Sequence, residues 1–120
     1  IQHIDQPFYY IQRAFKALKP GGYIFFLATP NTNSILFKIW NDLPALSERL
    51  NYYLPSDRNL GNILKNEGFE AISIDYPYID SPYSSPITDH YKFFMRILDR
   101  KRPDFPFWRS MMNVVARKPI

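Results

Sequence analysis

The 120-residue sequence predicts an α/β fold, and three observations carry that expectation. Phe8, Ile11, Phe15 and Leu18 recur at three- and four-residue spacing, the period of an amphipathic helix. Pro20-Gly21-Gly22 stops that pattern, and the apolar run Tyr23-Ile24-Phe25-Phe26-Leu27-Ala28-Thr29 begins at once as a strand. Two more strand-like runs, 69–78 and 111–116, are separated by helical patterns.

Each element follows from local chemistry. Asp5 or Gln6 can cap the first helix, and Pro7 suits its first position because the N–H it lacks has no partner there. The strand at 23–29 is apolar on both faces, which predicts cover on both sides. Thr32-Asn33-Ser34 offers a cap for a helical segment with Ile35, Leu36, Ile39 and Trp40. A polar loop through Pro44 leads to Asn51-Tyr52-Tyr53.

Pro55-Ser56-Asp57 starts a third helix with Leu60, Ile63 and Leu64 inward and Gly68 as its stop. The run 69–78 alternates Ala71, Ser73 and Asp75 with Ile72, Ile74 and Tyr76, so one face of that strand is wetter. Pro77, Pro82 and Pro86, interleaved with Tyr76, Tyr78 and Tyr83, form a stiff aromatic loop. Ile87, Tyr91, Phe94, Met95 and Leu98 fit a fourth helix, a basic proline-containing connection leads to Trp108, and 111–116 closes the chain.

Composition narrows the function classes. At 46% hydrophobic and 18% aromatic residues the chain can build a core, and one domain or part of one fits its length. No apolar run approaches the ~18 residues of a membrane span. The absence of cysteine excludes disulfides, thiolate-bound metals and thiol nucleophiles, and two histidines, His3 and His90, argue against a His-based metal site. The net charge of +4 is uneven: from Tyr91 onward eight Lys/Arg face only Asp99 and Asp104. Such a cluster attracts phosphate, nucleic acid or an anionic membrane surface, and it also suits a solvated helix end. Aromatic residues do not alternate with these charges as in single-strand binders, so no nucleic-acid partner is expected.

Several motifs in order resemble class I S-adenosylmethionine-dependent methyltransferases. Leu18-Lys19-Pro20-Gly21-Gly22 is similar to the L-K-P-G-G joint before the family's fifth strand. Gln2-His3-Ile4-Asp5-Gln6-Pro7 resembles its E-H-x-x-D-P segment after the fourth strand, with Gln in place of the acid. Thr29-Pro30-Asn31 matches T-P-N after the fifth strand. Arg49-Leu50-Asn51-Tyr52-Tyr53-Leu54-Pro55, followed by Gly68-Phe69, resembles H-L-N-Y-F-S-P before a helix ending in G-F, with Arg49 replacing the usual His. Ala116-Arg117-Lys118-Pro119 resembles the end of the seventh strand.

The resemblance, of the methyltransferase type 11/12/23-like kind, implies the C-terminal part of a Rossmann-like sheet. Its strands would be equivalent to the fifth, sixth and seventh, the last lying antiparallel between the other two. Residues 1–120 then form the C-terminal portion of one methyltransferase domain. The N-terminal cofactor-binding half is absent, since none of the four glycines forms a G-x-G run. The implied activity is methyl transfer from S-adenosyl-L-methionine to a small-molecule, lipid or sugar acceptor by a cytoplasmic enzyme, the isolated chain being inactive without its missing half or a partner chain. The alternative is a non-catalytic methyltransferase-like interaction module, or half of a split enzyme.

By the same resemblance Gln2 and His3 would contact the cofactor, and His3 would be the catalytic base. A neutral imidazole there can take a proton from a substrate hydroxyl or amine, while a turn histidine bonded to nearby backbone is the structural alternative. Asn31, Tyr52 and Tyr53 are the candidate substrate-binding residues. Asn31 and Thr29 could present an amide and a hydroxyl, or simply bond their own turn, and the tyrosines could wall an acceptor pocket or pack a core. His90 reads as a surface or packing residue.

Overall fold

A computed structural model describes residues 1–43, 53–78, 84–100 and 107–120. The expected loop from Pro44 to Tyr52, the Pro82-Tyr83 part of the aromatic loop and the basic connection at 101–106 lie outside the described residues. Helix α1 spans Pro7–Ala17, with Gln6 at its cap and Pro7 at its first position. Strand β1 (Tyr23–Pro30) follows through the Pro-Gly-Gly turn, then helix α2 (Ile35–Trp40), whose Ser34 Oγ accepts from the Phe37 N–H. Helix α3 is Asp57–Glu67, capped by Ser56 Oγ accepting from the Asn59 N–H at 3.0 Å.

Gly68 ends α3 in a left-handed conformation, φ +108. A Cβ there would stand 3.1 Å from Phe15 Cζ, so both backbone and packing call for glycine. Strand β2 (Glu70–Asp75), helix α4 (Pro86–Asp99), a short 3₁₀ turn (Trp108–Ser110) and strand β3 (Met111–Arg117) complete the chain.

The sheet order is β1-β3-β2, with β3 antiparallel to both neighbours. This is the arrangement the resemblance implies. Register runs from Tyr23 opposite Arg117 to Pro30 opposite Met111, and from Glu70 opposite Arg117 to Asp75 opposite Asn113. Both ladders carry a bulge, between Phe26 and Thr29 and between Glu70 and Ser73. Ala28 and Ala71 sit in those bulges at φ 51 and φ 50, and the Ala28 N–H donates to Asn113 Oδ1 at 2.9 Å.

One face of the sheet is covered. Met112, Val114 and Ala116 of β3 are fully buried against Ile11 of α1 and Leu60 and Leu64 of α3, with Ile24, Phe26, Ile72 and Ile74 around them. The opposite face is open, contrary to the expectation for an all-apolar β1: Tyr23, Phe25 and Leu27 are 52%, 59% and 68% exposed. A strand alternates its side chains between faces, and both described helices on this sheet core pack on the same side.

Strand β2 is also shorter than the expected 69–78. Pro77 has no N–H for a ladder, and Tyr76 and Tyr78 leave the strand to bond Asp57 and Asp89. A second core joins Leu36, Leu43, Tyr78, Phe93 and Phe107. There Phe93 stacks on Phe107 with ring centres 4.6 Å apart and Trp40 meets Phe93 edge-on.

Candidate functional site

The turn before α1 carries the first candidates. The Ile4 N–H donates to the Ile1 carbonyl, which turns His3 outward to an exposed position. The Gln2 side-chain amide nitrogen lies 3.5 Å from His3 Nε2, and Gln2 Oε1 accepts from the Ile1 amino group. An amide N–H facing Nε2 favours the tautomer with its proton on Nδ1. His3, Ile4, Asp5 and Tyr10 line a hollow of about 460 Å³. A second, apolar groove of about 270 Å³ runs alongside it between α1 and β1, floored by Ile24 and Phe26.

Helix α1 packs against α3, and its residues Pro7, Tyr10, Ile11 and Ala14 share that apolar groove with Ile24 and Phe26 of β1. Tyr53 reaches the first turn of α1, its ring edge-on to Phe8 at 5.8 Å. The Tyr53 hydroxyl is buried with no hydrogen-bond partner among the described residues, and burial raises its pKa. Tyr52 lies outside the described residues.

Asn31 is buried at the centre of a polar knot. Its Nδ2 donates to the Arg109 carbonyl at 3.0 Å and to Asp57 Oδ2 at 3.4 Å. Its Oδ1 accepts from the backbone N–H groups of Asn33 and Asp57, both at 3.0 Å. Both amide hydrogens and both lone pairs are thereby engaged inside the chain. Thr29, also buried, lies in the ladder opposite Met112. The Thr32 N–H and hydroxyl both donate to the Pro55 carbonyl, which ties this turn to the residues after Tyr53.

Around Asp57 the structure assembles residues that periodicity did not single out. Its carboxylate accepts from Tyr76 OH at 2.6 Å, Asn33 Nδ2 at 2.9 Å and the Arg58 N–H at 2.6 Å. Partial burial pushes the Asp57 pKa up, but these bonds together with Asn31 outweigh it and hold the carboxyl below its ordinary value. Burial and then the bond to Asp57 push Tyr76 up to about 12, opposed by the Arg109 guanidinium, which lies 4.8 Å over the Tyr76 ring. The one sequence signal for Asp57 was its place at the helix start in Pro55-Ser56-Asp57; nothing marked Tyr76 as its partner.

His90 packs as expected of it. Its Nδ1 faces the Pro86 carbonyl, its Nε2 accepts from Trp108 Nε1–H at 3.1 Å, and the ring lies between Phe107 and Trp108. Among the described residues no group of three His, Asp or Glu side chains could hold a metal ion, and no helix is long and apolar enough to cross a membrane.

No family model and no curated protein matches the sequence. Solved structures do match its fold. A SAM-dependent methyltransferase from Archaeoglobus fulgidus superposes with a TM-score of 0.57 at 20% identity, over 98% of this chain and 55% of that one. Haemonchus contortus phosphoethanolamine N-methyltransferase 2 matches twice. Its complex with phosphomonomethylethanolamine and S-adenosylhomocysteine gives a TM-score of 0.51 at 19% identity, over 100% of this chain and 32% of that one. Its complex with S-adenosyl-L-methionine gives 0.51 at 21%, over 100% and 31%. The chain thus spans about half the length of the first of these structures and about a third of the other. The likeness shows the fold alone: three strands and flanking helices arranged as in part of the Rossmann-like sheet of those structures.

Proposed function

We propose that the chain is the acceptor-side, C-terminal portion of an S-adenosylmethionine-dependent methyltransferase acting in the cytoplasm. The observation that carries this reading is β3 lying antiparallel between β1 and β2, the strand order the motif resemblance implied, together with methyltransferase neighbours that superpose on nearly the whole chain. The acceptor class is a small molecule, lipid or sugar; the phosphomonomethylethanolamine bound by one neighbour belongs to that range.

The residues present fit one flank of the cofactor. The hollow at His3, Ile4, Asp5 and Tyr10 offers imidazole, carboxylate and phenol groups, and the orphaned Tyr53 hydroxyl near the same helix end is an unused donor. The glycine-rich turn that would cradle the methionine end is not encoded in these residues. A complementary half supplies it, and the open β1 edge is the side on which that half would add its strands.

When bound, the cofactor supplies an electrophilic methyl group on sulfur, and the protein contributes alignment, dryness and a base. His3 Nε2 holds the lone pair that takes the acceptor's proton, and the weak 3.5 Å contact with Gln2 yields easily to a substrate O–H or N–H. Gln2, beside His3, would contact the cofactor, as the resemblance implies. Tyr53 and Tyr52 wall the acceptor, and Asn31 holds the floor of that wall by locking the 31–33 turn to α3. The second reading, a non-catalytic module that pairs with another chain, is favoured by the same open edge.

Calorimetric titration separates the two readings. The chain alone should show no micromolar affinity for S-adenosylmethionine, and affinity should appear once the complementary half is supplied. In that complete domain His3→Ala should lower kcat about 10²–10⁴-fold with cofactor affinity retained. Unchanged kcat removes His3 from catalysis; no methyl transfer by any complete domain removes the enzyme reading.

A further inference from the structure

His90 holds Trp108 through a bond that a single proton abolishes. The imidazole meets two groups of fixed polarity. The Pro86 carbonyl, which can only accept, faces Nδ1, and the indole N–H of Trp108, which can only donate, meets Nε2 at 3.1 Å. These two bonds assign the neutral tautomer, with its hydrogen on Nδ1 and its lone pair on Nε2. A proton added to the ring must take that lone pair. Two N–H groups would then point at one another, so the charged imidazole and the Trp108 bond exclude each other.

Trp108 is the strained partner. Its φ is +47, in the left-handed region where a bulky side chain is an outlier, and it opens the 3₁₀ turn that leads into β3. Both flanks of this residue are anchored. Phe107 before it is buried and stacked on Phe93. After it, the Arg109 carbonyl accepts from Asn31 Nδ2 and the Ser110 carbonyl from the Asn31 N–H at 2.8 Å. The indole itself lies edge-on to His90 at 5.3 Å and tilted over Tyr78 at 5.7 Å, yet it is 44% exposed and has a way out to water.

The other titratable groups here have partners of their own. Asp89, next to His90 on α4, accepts from Tyr78 OH and the Ser85 N–H, and the Arg109 guanidinium lies over the Tyr76 ring. One helical turn from His90 stand Pro86, Ile87, Phe93 and Phe94, none of them charged. Helix α2 reaches this core through Leu36 and Trp40, which are apolar. Among the described residues no carboxylate pairs with the imidazole to hold a proton on it.

We propose that His90 and Trp108 form a pH-sensitive latch, in which the neutral imidazole holds the indole and its strained backbone and protonation releases both. The bond is present on the alkaline side of the range in which histidines change charge, about pH 8 to 5, and is lost on the acid side. The released turn carries Arg109, which touches Tyr76 and Asn31, so acid loosens the end of the sheet where β1 and β2 finish. This inference does not rest on the methyltransferase reading, because the latch needs neither cofactor nor acceptor.

Trp108 fluorescence tests it on the full chain in a Trp40→Phe background, Trp40 being the second of two tryptophans. Between about pH 8 and about pH 5 the emission should move to longer wavelength and acrylamide should quench it more strongly, with the far-UV signal unchanged. By NMR the Trp108 indole N–H should be protected from exchange at the upper pH and lose that protection at the lower. His90→Gln, whose amide oxygen accepts at either pH, should hold the indole throughout, and His90→Ala should show the released spectrum throughout. Emission and exchange that do not change with pH in the parent overturn the proposal. So does the parent's acid shift in either His90 variant, or a shift that appears only with loss of the far-UV signal.

Discussion

Asn31 and Asp57 hold each other from both sides: the Asp57 N–H donates to Asn31 Oδ1 at 3.0 Å, and Asn31 Nδ2 returns a bond to Asp57 Oδ2 at 3.4 Å. The turn after β1 is thereby locked to the first residue of α3. Tyr76 adds the end of β2 to the same carboxylate. One acidic side chain thus ties together three elements at one end of the sheet.

The acid side of stability should depend on Asp57. Its carboxyl is held below the ordinary value of about 3.9. The folded state therefore favours the charged form, and the stabilisation is present above about pH 4 and lost as pH falls through the folded value. Urea melts should show Asp57→Asn less stable near neutrality by about 1 kcal/mol, the partial solvation of the cluster keeping the figure low. Near pH 3 the difference should shrink; an equal difference at both pH values would exclude the linkage.

The alkaline side should depend on Tyr76. Its hydroxyl is pushed up to about 12, against about 10 in the unfolded chain. A raised folded value means stabilisation fully present below pH ~10 and lost between about 10 and 12. Tyr76→Phe should flatten that limb of the stability curve, read by thermal melts across the range. Tyrosinate absorbance should show one fewer late-titrating group in the variant.

Gly68→Ala should destabilise the chain by about 1–3 kcal/mol. The positive φ strains any Cβ, and the new methyl meets Phe15 Cζ at 3.1 Å. Adding Phe15→Leu should recover only the packing share of the loss. Full recovery would show that the backbone contributes nothing.

The open edge and face of β1 should make the isolated chain associate. Tyr23, Phe25 and Leu27 form an exposed apolar row on an edge strand, and such rows recruit strands or aggregate. Sedimentation velocity should show concentration-dependent species that Phe25→Lys/Leu27→Lys reduces. A monodisperse monomer with a sharp, concentration-independent melt would remove the expectation.

Local chemistry by itself determined where the first three helices begin and where α3 ends. Pro7, Ser34, Ser56 and Gly68 act through bonds and sterics within a few residues, so these helix limits were legible without the rest of the chain. The motif order also carried the antiparallel place of β3. What sequence could not decide was which way an apolar face turns. Ile87, Tyr91, Phe94 and Leu98 have the period of a core stripe, yet Asp89 and Phe93 point inward because Tyr78 and Phe107, distant in sequence, supply a hydrogen bond and a stacking ring there. Likewise Asn31 and Tyr76 meet at Asp57 only once the sheet sets the ends of β1 and β2 side by side with the start of α3. Periodicity records that a face is apolar; long-range packing alone decides whether it meets the core or the surroundings.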